Sequence, residues 1–311
     1  MTDRKPKNVA ASVRQRLLNI AKASDRPFQE TLQYFAMERF LYRLTQTPHA
    51  SKFILKGALM LTVWRASTIR PTKDIDLLGN MSNRVDDLMS VFRDACHQAV
   101  ESDGLDFDPD SIAGVVIKED ADYEGVRITF RGSLQNIPIS MQVDVGFGDI
   151  VFPGASMTEY PTILDHTAPR LRAYTRETTV AEKFEAMAKL GLSNSRMKDF
   201  YDIWLLSGLF DFNGEALALA VEKTFANRGT TVTAQPTALS PSFATDETKV
   251  TQWQAFVRKS RLNDAPADLS VAIESIATFL RPVAQAVESG EPFVAHWNAP
   301  GPWVVGSQRP K

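Results

Sequence analysis

Cysteine is nearly absent from this chain. A single one, Cys96, in 311 residues excludes a disulfide framework and a zinc site built on cysteine. The four histidines, His49, His97, His166 and His296, are scattered without ligand spacing, which argues against a His-rich metal centre. No apolar run approaches the ~20 residues that a membrane-spanning helix needs. The opening MTDRKPKNV also lacks the apolar stretch of a signal peptide. The expectation is a soluble cytoplasmic protein with no membrane partner. Internal repeats, a Walker A loop, a dinucleotide-binding glycine fingerprint and a Ser-His-Asp arrangement are missing too.

Net charge is small, −2, so the chain as a whole is no magnet for polyanions. Its distribution is uneven. Between Glu101 and Glu124 nine acids face one base, Lys118, whereas between Pro169 and Lys198 seven bases face three acids. A local basic stretch can meet a phosphate-bearing partner or simply form a solvated face. Hydrophobic residues make up 44% and charged residues 23%, enough for a sizeable core. The length suggests about two domains at ~150 residues each.

Two helices open the chain, over 8–23 and 28–46, the second with Phe28, Leu32, Phe35, Phe40, Leu41 and Leu44 on one broad face. The texture then changes. Phe53-Ile54-Leu55 reads as a short buried strand, followed at Gly57 by a short helix to about Trp64. Ile75-Asp76-Leu77-Leu78 reads as a second strand and 84–101 as a helix. The runs 113–118, 125–131 and 137–146 read as strands. Beyond about residue 175 the pattern is helical, over 178–191, 197–208, 213–226, 246–260 and 267–288. Arg228–Thr245 reads as a loop, and the proline-bearing tail from Ala299 as irregular. The expected class is α+β: a mixed sheet of about five strands flanked by helices in residues 1–170, and a helical domain in 171–311.

Chemistry concentrates in Phe53-Ile54-Leu55-Lys56-Gly57-Ala58-Leu59 and, some 15 residues on, Arg70-Pro71-Thr72-Lys73-Asp74-Ile75-Asp76-Leu77. A strand entering a glycine and then a helix leaves backbone N–H groups that suit a phosphate. Asp74 and Asp76 flank Ile75 at the head of a strand, so the two-residue period points both carboxylates to one face. Side by side they repel unless a cation sits between them, and oxygen ligands are what Mg²⁺ takes when it arrives with substrate phosphates. Asp144 lies on the polar side of its strand with Ser140 and Gln142. Pairing with an antiparallel neighbour would bring it to the first two as a third metal ligand and catalytic carboxylate. Asp149 is a poorer third candidate. Lys56, Gly57, Ala58, Arg70 and Thr72 are the candidate nucleotide contacts, though Arg70 could merely flank the loop. The Thr72 hydroxyl could bond to the metal site or be modified.

Two helices downstream carry further candidates. Lys183 borders the face made by Val180, Phe184, Met187 and Gly191, with Glu182, Glu185 and Lys189 on the far side. Its ammonium either snorkels to water or reaches a triphosphate as a point charge. The helix over 197–208 is apolar nearly all round, so Asp199 needs a partner. Asp199 and Asp202 could be structural, holding Arg196 or Lys183, and Asp202 could pair with Lys198. Cys96 reads as a small core residue.

The strand–glycine–helix followed by Arg-x-Thr-x-Asp-x-Asp-Leu resembles the nucleotidyltransferase (DNA polymerase β-like) superfamily, and within it the AbiEii/AbiGii-type toxin branch. That branch is also marked by an Ala-Glu-Lys helix and an Arg-x-Lys-Asp-x-Tyr-Asp helix, matched here by Ala181-Glu182-Lys183 and by Arg196-Met197-Lys198-Asp199-Phe200-Tyr201-Asp202. The likeness runs from about Phe53 to Leu206. It departs at the turn, where the family often has Gly-Gly or Gly-Ser and this chain has Gly57-Ala58, removing one phosphate contact.

The resemblance implies a nucleotidyltransferase toxin of a toxin–antitoxin or phage-defence pair, with a cognate antitoxin. It implies transfer of NMP from an NTP, with Mg²⁺, to RNA, above all the 3′ end of tRNA. Lys183, which would bind the nucleotide, and Asp199 join Asp74, Asp76 and Asp144 as catalytic residues on that reading, with the helical domain closing the active-site cleft. NMP transfer to a protein or small molecule, or a silent RNA- or protein-binding module, are the alternatives.

Overall fold

The computed structural model describes residues 8–66, 70–120 and 123–305. The chain divides into two compact units. The first comprises the residues up to Arg65, Pro71–Gly148 and Ser156–Ala173, and the second Ala66–Arg70, Asp149–Ala155 and the residues from Tyr174 onward.

In the first unit the order is α1 (Val9–Ala23), α2 (Phe28–Thr45), β1 (Phe53–Lys56), α3 (Leu59–Val63), β2 (Asp74–Gly79) and α4 (Val85–His97). Then come β3 (Leu105–Asp120), β4 (Tyr123–Leu134), β5 (Ile137–Phe147), β6 (Ser156–Glu159) and β7 (Arg170–Ala173). The strands form one mixed sheet, ordered β3-β4-β5-β2-β1-β7-β6. Pairing is parallel between β2 and β5 and between β1 and β7, and antiparallel elsewhere.

Alternation along the central strands sends Ile75, Leu77, Ile128, Val143 and Val145 into the core, where α2 and α4 cover them. Helix α4 buries a narrow stripe of Leu88, Val91, Phe92 and Ala95. Helix α2 is buried nearly all round rather than on one face, and its charged side chains are therefore paired. Arg43 donates to both oxygens of Asp103, at 2.7 and 2.9 Å, and Arg39 donates to Asp103 at 3.1 Å. Burial would raise the Asp103 carboxyl, but Arg43, the Leu105 N–H and Arg39 together outweigh it and hold it low. Cys96 packs against this core, and burial pushes its thiol up to about 12.

The sheet has seven strands where about five were expected. The acidic stretch turns out to begin β3: Leu105 and Phe107 point inward while Asp106 and Asp108 point outward, so those two acids belong to the solvated side of an edge strand. Strand β6 (Ser-Met-Thr-Glu) is mostly exposed and has no apolar alternation to announce it.

The second unit contains α5 (Arg176–Leu190), α6 (Met197–Leu209), β8 (Phe212–Asn213), α7 (Gly214–Asn227), α8 (Pro241–Thr245), α9 (Glu247–Ser260), α10 (Leu269–Ser289), β9 (Ala295–Trp297) and β10 (Trp303–Val305). Its short strands make a three-stranded sheet, β10-β9-β8, where helices and an irregular tail but no strands were expected. Aromatic packing replaces the missing hydrophobic alternation: Phe279 stacks on Trp303 at 5.6 Å and meets Trp297 edge-on at 4.9 Å. The expected loop over Arg228–Thr245 carries α8, capped by the Ser240 hydroxyl. The main division falls at Ala173/Tyr174, and the two short segments that belong to the second unit carry Arg70 and Asp149, which form ion pairs there. Among the described residues no helix is long and apolar enough to cross a membrane.

Candidate active site

Strand β1 ends in a tight turn at Gly57, whose φ of +71° is the left-handed region that favours glycine. A side chain is excluded here for a second reason: a Cβ on Gly57 would collide with the carboxylate of Asp76. The backbone of the turn therefore lies directly against that acid. Helix α3, which follows, has only five residues, so its dipole is small. Ala58 is buried, and the hydroxyl that the family pattern often places there would meet packed neighbours rather than open solvent.

Register places the three candidate carboxylates on one sheet face. Asp76 of β2 sits opposite Asp144 of β5, and Asp74 opposite Gln142. The β2–β5 pairing is parallel, not antiparallel as expected, because the chain crosses over through α4 and two further strands before β5 returns beside β2. Lys56 lies opposite Asp76 on the other side, and Arg127 of β4 opposite Asp144. One cross-strand row thus reads Lys56, Asp76, Asp144, Arg127, with signs +, −, −, +. Directly opposed side chains share a face and interact.

Arg127 grips Asp144 with both arms of its guanidinium, Nε to Oδ1 at 2.8 Å and Nη2 to Oδ2 at 2.7 Å. Gln142 donates to the same carboxylate at 3.2 Å. The Asp144 bond, against some desolvation, holds the Arg127 guanidinium above its ordinary pKa, and the charges of Asp74 and Asp76 add to this. Sequence reasoning missed Arg127. Its alternation on β4 showed which face it takes but not which strand it would meet. The Thr72 hydroxyl lies 3.4 Å from the backbone N and O of Asp74, and the Thr72 N–H donates to the Tyr34 hydroxyl at 3.1 Å. Its described contacts thus fix the start of β2. Beside Asp74 the sheet face opens into a groove of about 600 Å³ lined by Lys73, Ser111, Thr129, Arg131, Ser140 and Gln142, among others.

The donor set here suits Mg²⁺ in chemistry: hard carboxylate oxygens, few in number, on one face. Asp74 and Asp76 fit such an ion. Asp144 is positioned to join them, but both its oxygens are on Arg127, and among the described residues no three acidic, His or Cys side chains already form a metal cluster.

In the second unit Lys183, Asp199, Asp202 and Arg70 form a buried charge cluster, with the half-exposed Arg196 at its edge. Lys183 Nζ lies 2.8 Å from Asp199 Oδ1 and 2.8 Å from Asp202 Oδ2, so it does not snorkel. Arg196 pairs with the other Asp199 oxygen at 2.8 Å. Arg70 donates to both oxygens of Asp202, at 2.7 and 3.0 Å. Burial pulls the Lys183 pKa down, but Asp199 and Asp202 outweigh it and leave the ammonium held firmly charged. Burial likewise works against the ionised Asp199, and Lys183 and Arg196 prevail, holding it low.

Arg70 is therefore a buried partner of Asp202, where a nucleotide contact was expected. Of the partners the sequence offered Asp202, Lys198 is exposed and Lys183 is the one it meets, together with Arg70. Glu185, expected on the solvent side of α5, is buried against Arg228 and Thr230, at 2.9 and 2.5 Å. Asp149, the poorer third carboxylate, pairs with Arg228 at 2.8 Å in the same unit.

A family model described as the nucleotidyl transferase AbiEii toxin of a type IV toxin–antitoxin system matches residues 39–281. No curated protein matches the chain. Among solved structures, one from H. pylori, described as a candidate nucleotidyltransferase, aligns over 85% of this chain and 98% of its own at 14% identity, with a TM-score of 0.48. JHP933 from Helicobacter pylori aligns over 81% and 90% at 14% identity, with a TM-score of 0.47.

Proposed function

The chain belongs to the AbiEii family of nucleotidyltransferase toxins of type IV toxin–antitoxin systems, and from that premise we propose that it transfers NMP from an NTP to an RNA acceptor, the 3′ end of tRNA, with Mg²⁺. The observation that carries this reading is the alignment of Asp76 with Asp144 on adjacent strands, with Asp74 on the same face and the Gly57 turn pressed against Asp76.

Asp74 and Asp76 would hold the ion, which supplies Lewis-acid charge stabilisation to the phosphates when bound. The glycine turn lets a phosphate approach the backbone where any side chain would block it. Lys56, across from Asp76, brings a positive charge to the same edge. Asp144 takes the proton of the acceptor hydroxyl. The hydroxyl oxygen bonds to the α-phosphorus, the bond from that phosphorus to the bridging oxygen breaks, and pyrophosphate leaves with the electron pair. Lys183, held in place and protonated by Asp199 and Asp202, is the cation that the family resemblance assigns to the nucleotide.

An RNA acceptor is supported by the open groove beside Asp74, whose mixed lining includes Lys73 and Arg131 as cations for phosphate. The basic stretch contributes less than its count suggests: Lys183 and Arg196 are spent in ion pairs, and Arg170, Lys189 and Lys198 remain at the surface. Action on tRNA would place the protein in the cytoplasm beside its antitoxin.

The test is a labelling assay with Mg²⁺, total bacterial RNA and each α-labelled NTP in turn, beside an Asp74→Ala control. Label on tRNA-sized RNA that vanishes in the control supports the reading. Label on protein, or label on no macromolecule with any NTP, overturns the RNA acceptor.

A further inference from the structure

Two like charges in direct cross-strand register destabilise a sheet, and the β2–β5 pairing imposes this on Asp76 and Asp144. A cation flanks the pair on each side, Lys56 opposite Asp76 and Arg127 opposite Asp144, and Arg127 engages its carboxylate directly. The grip is a planar fork with both carboxylate oxygens engaged at 2.7–2.8 Å, the strongest form of this contact. With Gln142 also donating to both oxygens, the fork takes up lone pairs that a metal ion or an acceptor hydroxyl would use, and its positive charge opposes a metal ion at the same carboxylate.

We propose that Arg127 is a latch on Asp144: it holds this carboxylate until nucleotide and metal arrive, and then transfers its guanidinium to a phosphate oxygen. This rests on the function proposed above and deepens it by assigning a positioning residue. Movement is feasible because the Arg127 side chain is 39% exposed while Asp144 is 12% exposed. The long side chain can swing into solvent with little packing lost, whereas the carboxylate is fixed by its strand. A guanidinium fork matches phosphate as well as carboxylate geometry, so the exchange keeps its charge partnered.

The consequence is linkage. Nucleotide phosphates offer Arg127 a second partner and thereby release Asp144, so nucleotide strengthens metal binding beyond the ligands it donates itself. Metal alone has to compete with the fork.

The experiment is a Mn²⁺ titration followed by electron paramagnetic resonance, without nucleotide, on wild type, Arg127→Gln, Asp144→Asn and the double variant. Arg127→Gln is expected to bind Mn²⁺ about tenfold more tightly, the scale of one charge-assisted hydrogen bond released. In the Asp144→Asn background the same substitution should change affinity by less than about threefold, because the latch has nothing to hold. A non-hydrolysable NTP analogue should then enhance Mn²⁺ affinity less in Arg127→Gln than in wild type. Unchanged Mn²⁺ affinity in Arg127→Gln overturns the latch. An equal gain in both backgrounds overturns it too, because only the general field of a removed charge would then be at work. Metal binding is read without turnover, so absence of transfer to RNA would remove the proposed function and leave this result standing on its own.

Discussion

Replacement of Lys183 tests the buried charge cluster most sharply. In Lys183→Ala the ammonium that sits 2.8 Å from both Asp199 and Asp202 disappears from a site where the two carboxylate side chains are 0% and 2% exposed. Removing one partner of a buried pair costs about 3–5 kcal/mol, because the remaining charge keeps its desolvation penalty. Here Asp199 retains Arg196 and Asp202 retains Arg70, so the lower end, about 3 kcal/mol, is expected. A domain with ~5–15 kcal/mol of stability survives that, folded at 25 °C but with a clearly lower urea midpoint by tryptophan fluorescence.

The pH dependence has a definite sign. Lys183 is raised above its unfolded 10.5, so its stabilisation is complete below that value and lost as pH climbs through the folded pKa. Asp199 is lowered from 3.8, so its share is present above that value and lost as pH falls towards about 2. The gap between wild type and Lys183→Ala should therefore be widest between roughly pH 4 and pH 10 and close on either side. Adding Asp199→Asn to Lys183→Met removes a positive and a negative charge together and should recover most of the loss. A Lys183→Ala protein within about 0.5 kcal/mol of wild type at pH 7 would refute the reasoning, since a paired buried lysine cannot be that dispensable. Transfer activity of this variant has meaning only beside its unfolding curve.

Gly57→Ala forces a left-handed alanine, about 1–2 kcal/mol, and drives a methyl into Asp76. Loss of transfer with a lower urea midpoint is expected, and full activity would contradict the close approach. Arg70→Gln should cost about 3 kcal/mol by leaving Asp202 short of a partner while leaving KM for NTP unchanged. A raised KM at unchanged stability would return Arg70 to the nucleotide. Glu38, buried and with its carboxyl pushed up to about 7 chiefly by desolvation, binds a proton more readily folded than unfolded. Stability should therefore fall by about 3 kcal/mol as pH rises from 4.5 to 7. Glu38→Gln should flatten that decline in urea titrations.

What the sequence discloses here is faces, and what it hides is neighbours. The alternation around Ile75 and Val143 shows that Asp74, Asp76 and Asp144 point away from the core, because a two-residue period is a local property of the chain. Which strands lie side by side is not local: β2 pairs with β5 across some sixty intervening residues and in parallel, against the antiparallel expectation. Arg127 is visible as a polar residue on β4 and silent about its partner for that reason. The helical half shows the same limit in another form. The apolar run around Phe200 announces that Asp199 is buried and must be paired. The identity of the pair, Lys183 rather than solvent, is decided by how α5 meets α6. Small, exposed or aromatic-held strands such as β6 and β10 escape both signals, since neither alternation nor turn chemistry marks them. Burial can therefore be read from periodicity, but a charge's function depends on its partner. At Asp144 that partner is the Arg127 guanidinium, and this makes Arg127 the residue whose removal tells most about how that carboxylate is used.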